Sequence, residues 1–434
     1  MKNRILWALV ALVGIVMLNC EPQKNVIEIV EGVQEHKERL RLSDNQLIVR
    51  IPINTPDDTI SRLKTTVGID TAEMCSCGDT RIQRWTIADT LNIEDAIRNL
   101  KRQGGSSGVE GDRDFIASME RIPDFKPFDR PISQVDGLVG RKESAEITIA
   151  VMDTGLDIGQ YQDTSGSFSI ELFPSGEYSG CYGSNLGSIS GWNFVDNSPE
   201  IKDDHGHGTY VTKIITDELD KLMVKYQILP LKVFNGSGEG SYWDMICAMA
   251  YLKDIVKNGG VIPILNTSFG GYVASKDFQE SSILKAMLKE MEESVLVVAS
   301  AGNSGLDTDN GSDSHFLSSY TAPNLMGVGG HNGKDEAMAV EIDSLSNYGK
   351  ISIDITVPFR GYATSALNLA GGTNSLSLAG TSYSAAYVSA LTAVTYLNNG
   401  RPSALTLKSL VLGSAVTAPN LDGEIVNARA IIKP

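Results

Sequence analysis

Four short stretches of the chain carry side chains that can break an acyl bond if the fold gathers them. Ser382 ends the small-residue run Leu376-Ser377-Leu378-Ala379-Gly380-Thr381 and leads into an apolar stretch reaching Leu397, so its hydroxyl falls at a helix start. Asp153 closes the strand-like run Ile147-Thr148-Ile149-Ala150-Val151-Met152 and is followed by Thr154-Gly155. His207 lies in Asp203-Asp204-His205-Gly206-His207-Gly208-Thr209, again where a loop gives way to a helical pattern. Asn303 sits between Gly302 and Ser304, after Val297-Val298-Ala299-Ser300-Ala301. Taken singly, these read as a helix cap, a turn aspartate, a core histidine and a turn asparagine. Together, in the chain order Asp, His, Ser, they match one of three unrelated orders that build the same nucleophile, base and orienting acid.

These stretches resemble the subtilisin-like serine proteases: Asp153 in the Asp-Thr/Ser-Gly motif, His207 in His-Gly-Thr, Ser382 in Gly-Thr-Ser, and Asn303 in the segment whose side-chain amide donates to an oxyanion. The resemblance runs from about Pro127 to the C-terminus. It implies a peptidase with a Ser382 nucleophile, a His207 base, an Asp153 orienter and no cofactor. It also implies that Gly236-Ser237-Gly238 and Ser268-Phe269-Gly270 are the two edges that sandwich an extended peptide, with Phe269 lining an apolar subsite. Ala299 to Gly302 would form one wall of the pocket for the residue before the cut, small enough to accept bulky apolar side chains. His205 is read as a neighbour of the site. Ala386 and Tyr387 stand where the family usually has Pro and His, Val357-Pro358-Phe359 replaces Ala-Pro-Gly, and Tyr383 replaces a common Met.

The elements that must position these residues read as alternating strands and helices, giving an α/β catalytic domain over 127–434 with a doubly wound parallel sheet. Before it, residues 21–120 read as strand, helix, two strands, helix, strand. That order, closed by Val109-Glu110-Gly111-Asp112, is similar to the inhibitory α+β, ferredoxin-like pro-domain that precedes many members of the family. The resemblance therefore implies a zymogen that cuts itself within about Ile116 to Pro127, with its own pro-domain as inhibitor. The charge-laced stretch from Asn25 to Asp44 reads as a solvated helix.

Residues 1–20 form a targeting segment: Lys2 and Arg4 precede an uncharged run from Ile5 to Asn19, and Met17-Leu18-Asn19-Cys20 resembles a lipoprotein box with Cys20 as the acylated residue. Export, to a membrane-anchored or secreted location, suits Cys75, Cys77, Cys181 and Cys247, which can pair in three ways or stay as free buried thiols. A length of 434 residues suggests two or three domains, and a net charge of −16 argues against nucleic-acid binding. Asp307, Asp309, Asn310 and Asp313 collect oxygen ligands, but their spacing is not that of a calcium loop, and no metal is assigned. The competing reading from another class is an exported, catalytically dead peptide-binding protein of the same fold.

Overall fold

The computed structural model describes residues 26–30, 39–76, 81–104, 107–119, 125, 127, 145–162, 167–178, 190–275, 282–364 and 375–432. Residues 1–20, read as a targeting segment ending at Cys20, and the cysteines Cys77 and Cys181 lie outside them.

The N-terminal part contains β1 (Val26–Val30), β2 (Arg41–Arg50), α1 (Asp57–Val67), β3 (Ile69–Met74), β4 (Ile82–Ile87), α2 (Ile93–Gly104) and β5 (Glu110–Ser118). Helix α1 begins after Pro56 with Asp57 and Asp58 in its first turn, and ends on Gly68 in a left-handed conformation whose N–H reaches back to the carbonyls of Lys64 and Thr65. Leu47, Val49, Leu63, Trp85, Ile93 and Leu100 fill the space between its two helices and its antiparallel strands.

The second part contains β6 (Ile147–Asp153), β7 (Trp192–Asn193), α3 (His207–Lys221), β8 (Tyr226–Lys232), β9 (Glu239–Ser241), α4 (Tyr242–Lys257), β10 (Ile264–Thr267), β11 (Tyr272–Ala274), α5 (Ser282–Glu290), β12 (Leu296–Ser300), β13 (Asp313–His315), β14 (Leu325–His331), β15 (Ile355–Pro358), β16 (Tyr362–Thr364), β17 (Ser375–Ala379), α6 (Thr381–Asn398), α7 (Ala404–Ser414), β18 (Val416–Thr417) and β19 (Arg429–Ala430). Nine of these strands make one sheet in the order β18-β19-β15-β14-β12-β10-β6-β8-β7. All its pairings are parallel except that of the edge strand β18. Its central strands are buried on both faces, which explains their continuous apolar runs. Helices α4 and α5 contribute to one apolar core, and α3, α6 and α7 to the other. Such a sheet places its sites at the carboxyl ends of its strands, where Asp153 ends β6.

The stretch from Asn25 to Asp44 departs from the expected helix. Its described residues include β1, which pairs in parallel with β17 from Val26 opposite Ser375 to Val30 opposite Ala379, and the first residues of β2. Sheet partners distant in sequence, Ser375–Ala379 for β1 and Phe115–Ile116 for the start of β2, supply backbone bonds that override the local helical pattern.

The two parts share an interface. Strand β5 pairs antiparallel with β9, Ile116 opposite Ser241 and Ser118 opposite Glu239, so β9 becomes the edge strand of the N-terminal sheet. The Asp112 carboxylate accepts from the Ile283 N–H (2.9 Å) at the start of α5 and from the Tyr242 hydroxyl (3.2 Å). Asp114 accepts from the Trp243 N–H (3.2 Å) in the first turn of α4. Two carboxylates of one strand thus meet two helix starts, where unpaired N–H groups favour negative charge. Between them Phe115 stacks on Tyr242 (centroids 4.8 Å apart) and meets the edge of Phe316 (4.9 Å). A disulfide joins Cys75, just after β3, to Cys247 in α4.

Candidate active site

Asp153 and His207 are brought together by close backbone approach. Helix α3 starts at His207, and a Cβ on Gly208 would lie 2.4 Å from the Gly155 carbonyl oxygen and 3.1 Å from Asp153 Oδ1, so only a glycine lets the helix sit this near the end of β6. Gly206, the N-cap, has φ of 106°, a left-handed turn that aims the next side chain inward. His207 Nδ1 then lies 2.7 Å from Asp153 Oδ1, with both side chains buried. That contact fixes which ring nitrogen faces the acid.

The loop is held by Asp203, which the sequence reading left without a role. Its Oδ1 accepts from the N–H groups of His205 (3.0 Å) and Gly206 (2.8 Å) and from Thr154 Oγ1 (2.9 Å); its Oδ2 accepts from the N–H (2.9 Å) and hydroxyl (2.6 Å) of Thr209. Thr154 Oγ1 in turn accepts from the Gly208 N–H (2.8 Å). Burial alone would raise the Asp203 carboxyl, yet these bonds and the nearby Lys232 hold it below its ordinary value. Its place two residues before a His-Gly-His run was the available signal.

Ser382 lies in the first turn of α6. The N-cap Gly380 has φ of 151° and ψ of 154°, a backbone region open in practice to glycine alone. The Ser382 hydroxyl donates to the Ser268 carbonyl (3.0 Å), and the Ser268 hydroxyl donates to the Ser382 carbonyl (2.8 Å). Asn266 Nδ2 donates to that same Ser268 hydroxyl (2.9 Å), while Ser389 Oγ donates to Asn266 Oδ1 (2.9 Å). This chain of bonds pins the helix that bears Ser382 to the end of β10. Next to Ser382, the ring of Tyr383 lies 6.0 Å from that of His207, centroid to centroid.

Asn303 Oδ1 accepts from both the N–H and the hydroxyl of Thr381, each at 2.8 Å. With its carbonyl end fixed one residue before Ser382, its amide nitrogen is the donor end it turns the other way.

The proposed peptide edges fall on both sides of this centre. Met119 N–H donates to the Gly238 carbonyl (2.8 Å), extending the β5–β9 ladder past Ser118. A Cβ on Gly238 would lie 2.9 Å from His205 Nε2 and 2.5 Å from the Met119 carbonyl oxygen. Ser237 is the exposed residue of that turn, and a Cβ on Gly236 would touch Asp204. Phe125 packs on Gly206 and meets the Tyr210 ring edge-on at 5.9 Å.

Two expectations change. Phe269 does not line an open subsite: it is buried in the core against Phe234, with centroids 5.0 Å apart, while its neighbour Ser268 meets Ser382. Nor do Ala299 to Gly302 border empty apolar space. A Cβ on Gly270 would meet the His315 ring at 2.0 Å, and one on Gly302 would meet Asn347 Nδ2, His315 Nε2 and Tyr272 Oη at 2.6 to 2.8 Å. The glycines make room for His315, whose Nδ1 lies 2.9 Å from Ser318 Oγ and whose burial holds its pKa down at about 3, keeping it neutral. Ala299 itself is buried.

The acidic loop uses its own carboxylates. Asp307 accepts from the N–H groups of Asp309 and Asn310, Asp309 from that of Ile351, and Asp313 pairs with Arg39 at 2.8 Å. Among the described residues, no three His, Cys, Asp or Glu side chains gather as a metal site.

A family model for the subtilase family matches residues 144–429. The chain belongs to the subtilase family. This subtilase is 27% identical over 294 residues to the cell wall-associated protease of Bacillus subtilis, covering 66% of this chain and 28% of the relative. It is 26% identical over 235 residues to alkaline serine exoprotease A of Vibrio alginolyticus, covering 54% and 39%, and 30% identical over 223 residues to alkaline protease 1 of Aspergillus clavatus, covering half of each. The chain thus spans about half or less of the length of these curated relatives. Among solved structures, a cold adapted subtilisin-like serine proteinase superposes with a TM-score of 0.50 at 21% identity, over 66% of this chain and 89% of that one. That likeness agrees with the doubly wound α/β fold read from the sequence.

Proposed function

We propose that this subtilase is an exported serine endopeptidase made as a zymogen, with Ser382 as nucleophile. The observation that carries the reading is the buried 2.7 Å contact between His207 Nδ1 and Asp153 Oδ1, set beside the helix start that bears Ser382. In the mechanism, His207 Nε2 takes the proton of Ser382 Oγ as that oxygen attacks the substrate carbonyl. Asp153 holds the tautomer and stabilises the imidazolium that forms. The negative charge on the carbonyl oxygen is met by the Asn303 amide and the Ser382 N–H, and losing such a side-chain donor typically costs roughly 10²- to 10³-fold in turnover. His207 then protonates the leaving amine, and water reverses the steps to release the acid.

The N-terminal module acts as an inhibitor in this reading, since its last strand and Met119 occupy the edge at Gly238 that an extended substrate would pair with. Self-cutting falls between Met119 and Phe125. The chain is anchored at Gly238 on one side and at Gly206, one residue before His207, on the other. Acylation of Cys20 would fix the protein to a membrane; among the described residues no helix is long and apolar enough to cross one.

The test is the processing itself. Purified wild type should resolve, after reduction, into two fragments with a new N-terminus between residues 120 and 125, while Ser382→Ala remains one chain. A Ser382→Ala chain cut at the same bond, in a host lacking other proteases, would refute self-cutting.

A further inference from the structure

Resting on the self-cutting reading above, we infer that the cut does not release the N-terminal module: the mature protein is a two-chain enzyme whose inhibitor stays covalently bound. The disulfide partners Cys75 and Cys247 are 172 residues apart and lie on opposite sides of the 119–125 stretch. Hydrolysis there adds one water, giving a carboxylate and an amine, and leaves the sulfur bridge between the two chains untouched. Both cysteines are buried, at 1% and 3% exposure, within an apolar cluster that mixes Ile48, Ile82 and Phe115 of the module with Tyr242, Trp243 and Met249 of the catalytic part. A reductant reaches the bridge only when that interface has opened.

The module grips elsewhere as well. Strand β1 adds to β17, the strand that leads to Ser382, the Leu40 N–H donates to the Tyr272 carbonyl (2.9 Å), and Arg39 pairs with Asp313. The module therefore contacts the catalytic part through β9, α4, α5, β11, β13 and β17, with the bridge making dissociation from all of them intramolecular. A tethered inhibitor acts at an effective concentration in the millimolar range, which dilution does not lower. Processing and activation become separate events. Activation needs a second event: digestion of the module, or thiol–disulfide exchange in which a dithiol is oxidised to its own disulfide and Cys75 and Cys247 become thiols. With Cys20 acylated, the same bridge keeps the cut catalytic domain at the membrane.

The bridge is tested without relying on the chain's own activity. In Ser382→Ala, residues 120–124 are replaced by the recognition sequence of a site-specific endoprotease, and the cut product is run under denaturing conditions. One species without reductant and two with dithiothreitol is the expected result; two species without reductant would overturn the proposal. A second arm uses active protein. A thousandfold dilution should leave the specific peptidase activity of processed wild type unchanged, and should raise that of Cys75→Ala/Cys247→Ala at least tenfold as its module dissociates. An equal response in both proteins would count against a covalent latch. If wild type fails to process while the bridged Ser382→Ala product is still found, the functional reading falls and the bridge stands.

Discussion

Two carboxylates, Asp203 and Asp114, are buried near helix starts in this molecule, and burial ends differently for each. Asp203, beside the first turn of α3, takes five hydrogen bonds from four residues, and its carboxyl is held below the ordinary value. Asp114, at α4, accepts from the N–H groups of Phe115 and Trp243, has Arg84 only at 4.0 Å, and is raised by burial to about 6. Desolvation opposes the charge in both, and the number of well-placed donors decides the sign. The first is a fixed strut inside the catalytic part. The second crosses from the N-terminal module to helix α4 of the catalytic part and holds its charge at a cost, as a contact that must one day open would.

The largest effect expected from this comparison is at Asp203. Asp203→Asn turns an amide N–H₂ toward N–H and O–H donors, so two of the five bonds are lost at a fully buried position. We expect a loss of roughly 3–5 kcal/mol in denaturant unfolding of the Ser382→Ala chain, together with loss of nearly all processing in the otherwise wild-type chain. A loss below about 1 kcal/mol would break the contrast.

At Asp114 the same substitution should be mild and should show itself in pH dependence. A carboxyl raised from 3.8 to about 6 binds its proton more tightly in the docked, folded state than in the unfolded chain. Its contribution is therefore fully present below about pH 4 and is lost as pH rises toward 6, by roughly 2–3 kcal/mol at most. Asp244, raised by burial to about 7 and close to Asp114, adds a slope of the same sign, while Asp203 slopes the other way. The informative quantity is the difference between Asp114 and Asp114→Asn chains, measured as unfolding stability from pH 4 to 7. Wild type should lose stability relative to the variant as pH rises; a flat difference would mean that Arg84 and the two N–H groups suffice to hold the charge.

Strands buried on both faces are legible from continuous apolar runs such as Ile147 to Met152, and helix Asp57–Val67 is bracketed by its acidic first turn and Gly68. The motif residues Asp153, His207, Ser382 and Asn303 are legible because each carries its own short signature. What stayed hidden depends on distant partners. Val26 to Val30 became a strand because Ser375 to Ala379 offers it an edge, and Asp203 became a clamp because Thr154 and Thr209 converge on it. His315 fills the space beside Gly270 and Gly302 from a strand that carries no motif, so a pocket read from its small residues alone looked empty. The pairing of Cys75 with Cys247 rests on the docking of two modules, which spacing along the chain does not encode.

The most direct test of the central claim is reaction with a fluorophosphonate, which phosphonylates a serine activated as a nucleophile and releases fluoride. Processed wild type, freed of its module by limited digestion under reducing conditions, should gain one adduct, mapped by peptide mass spectrometry to Ser382. His207→Ala should gain almost none over the same time, having been cut in the 120–124 stretch by an introduced protease site and freed in the same way. An adduct on another serine, or equal labelling with and without His207, would contradict the assignment of Ser382 and His207 as nucleophile and base.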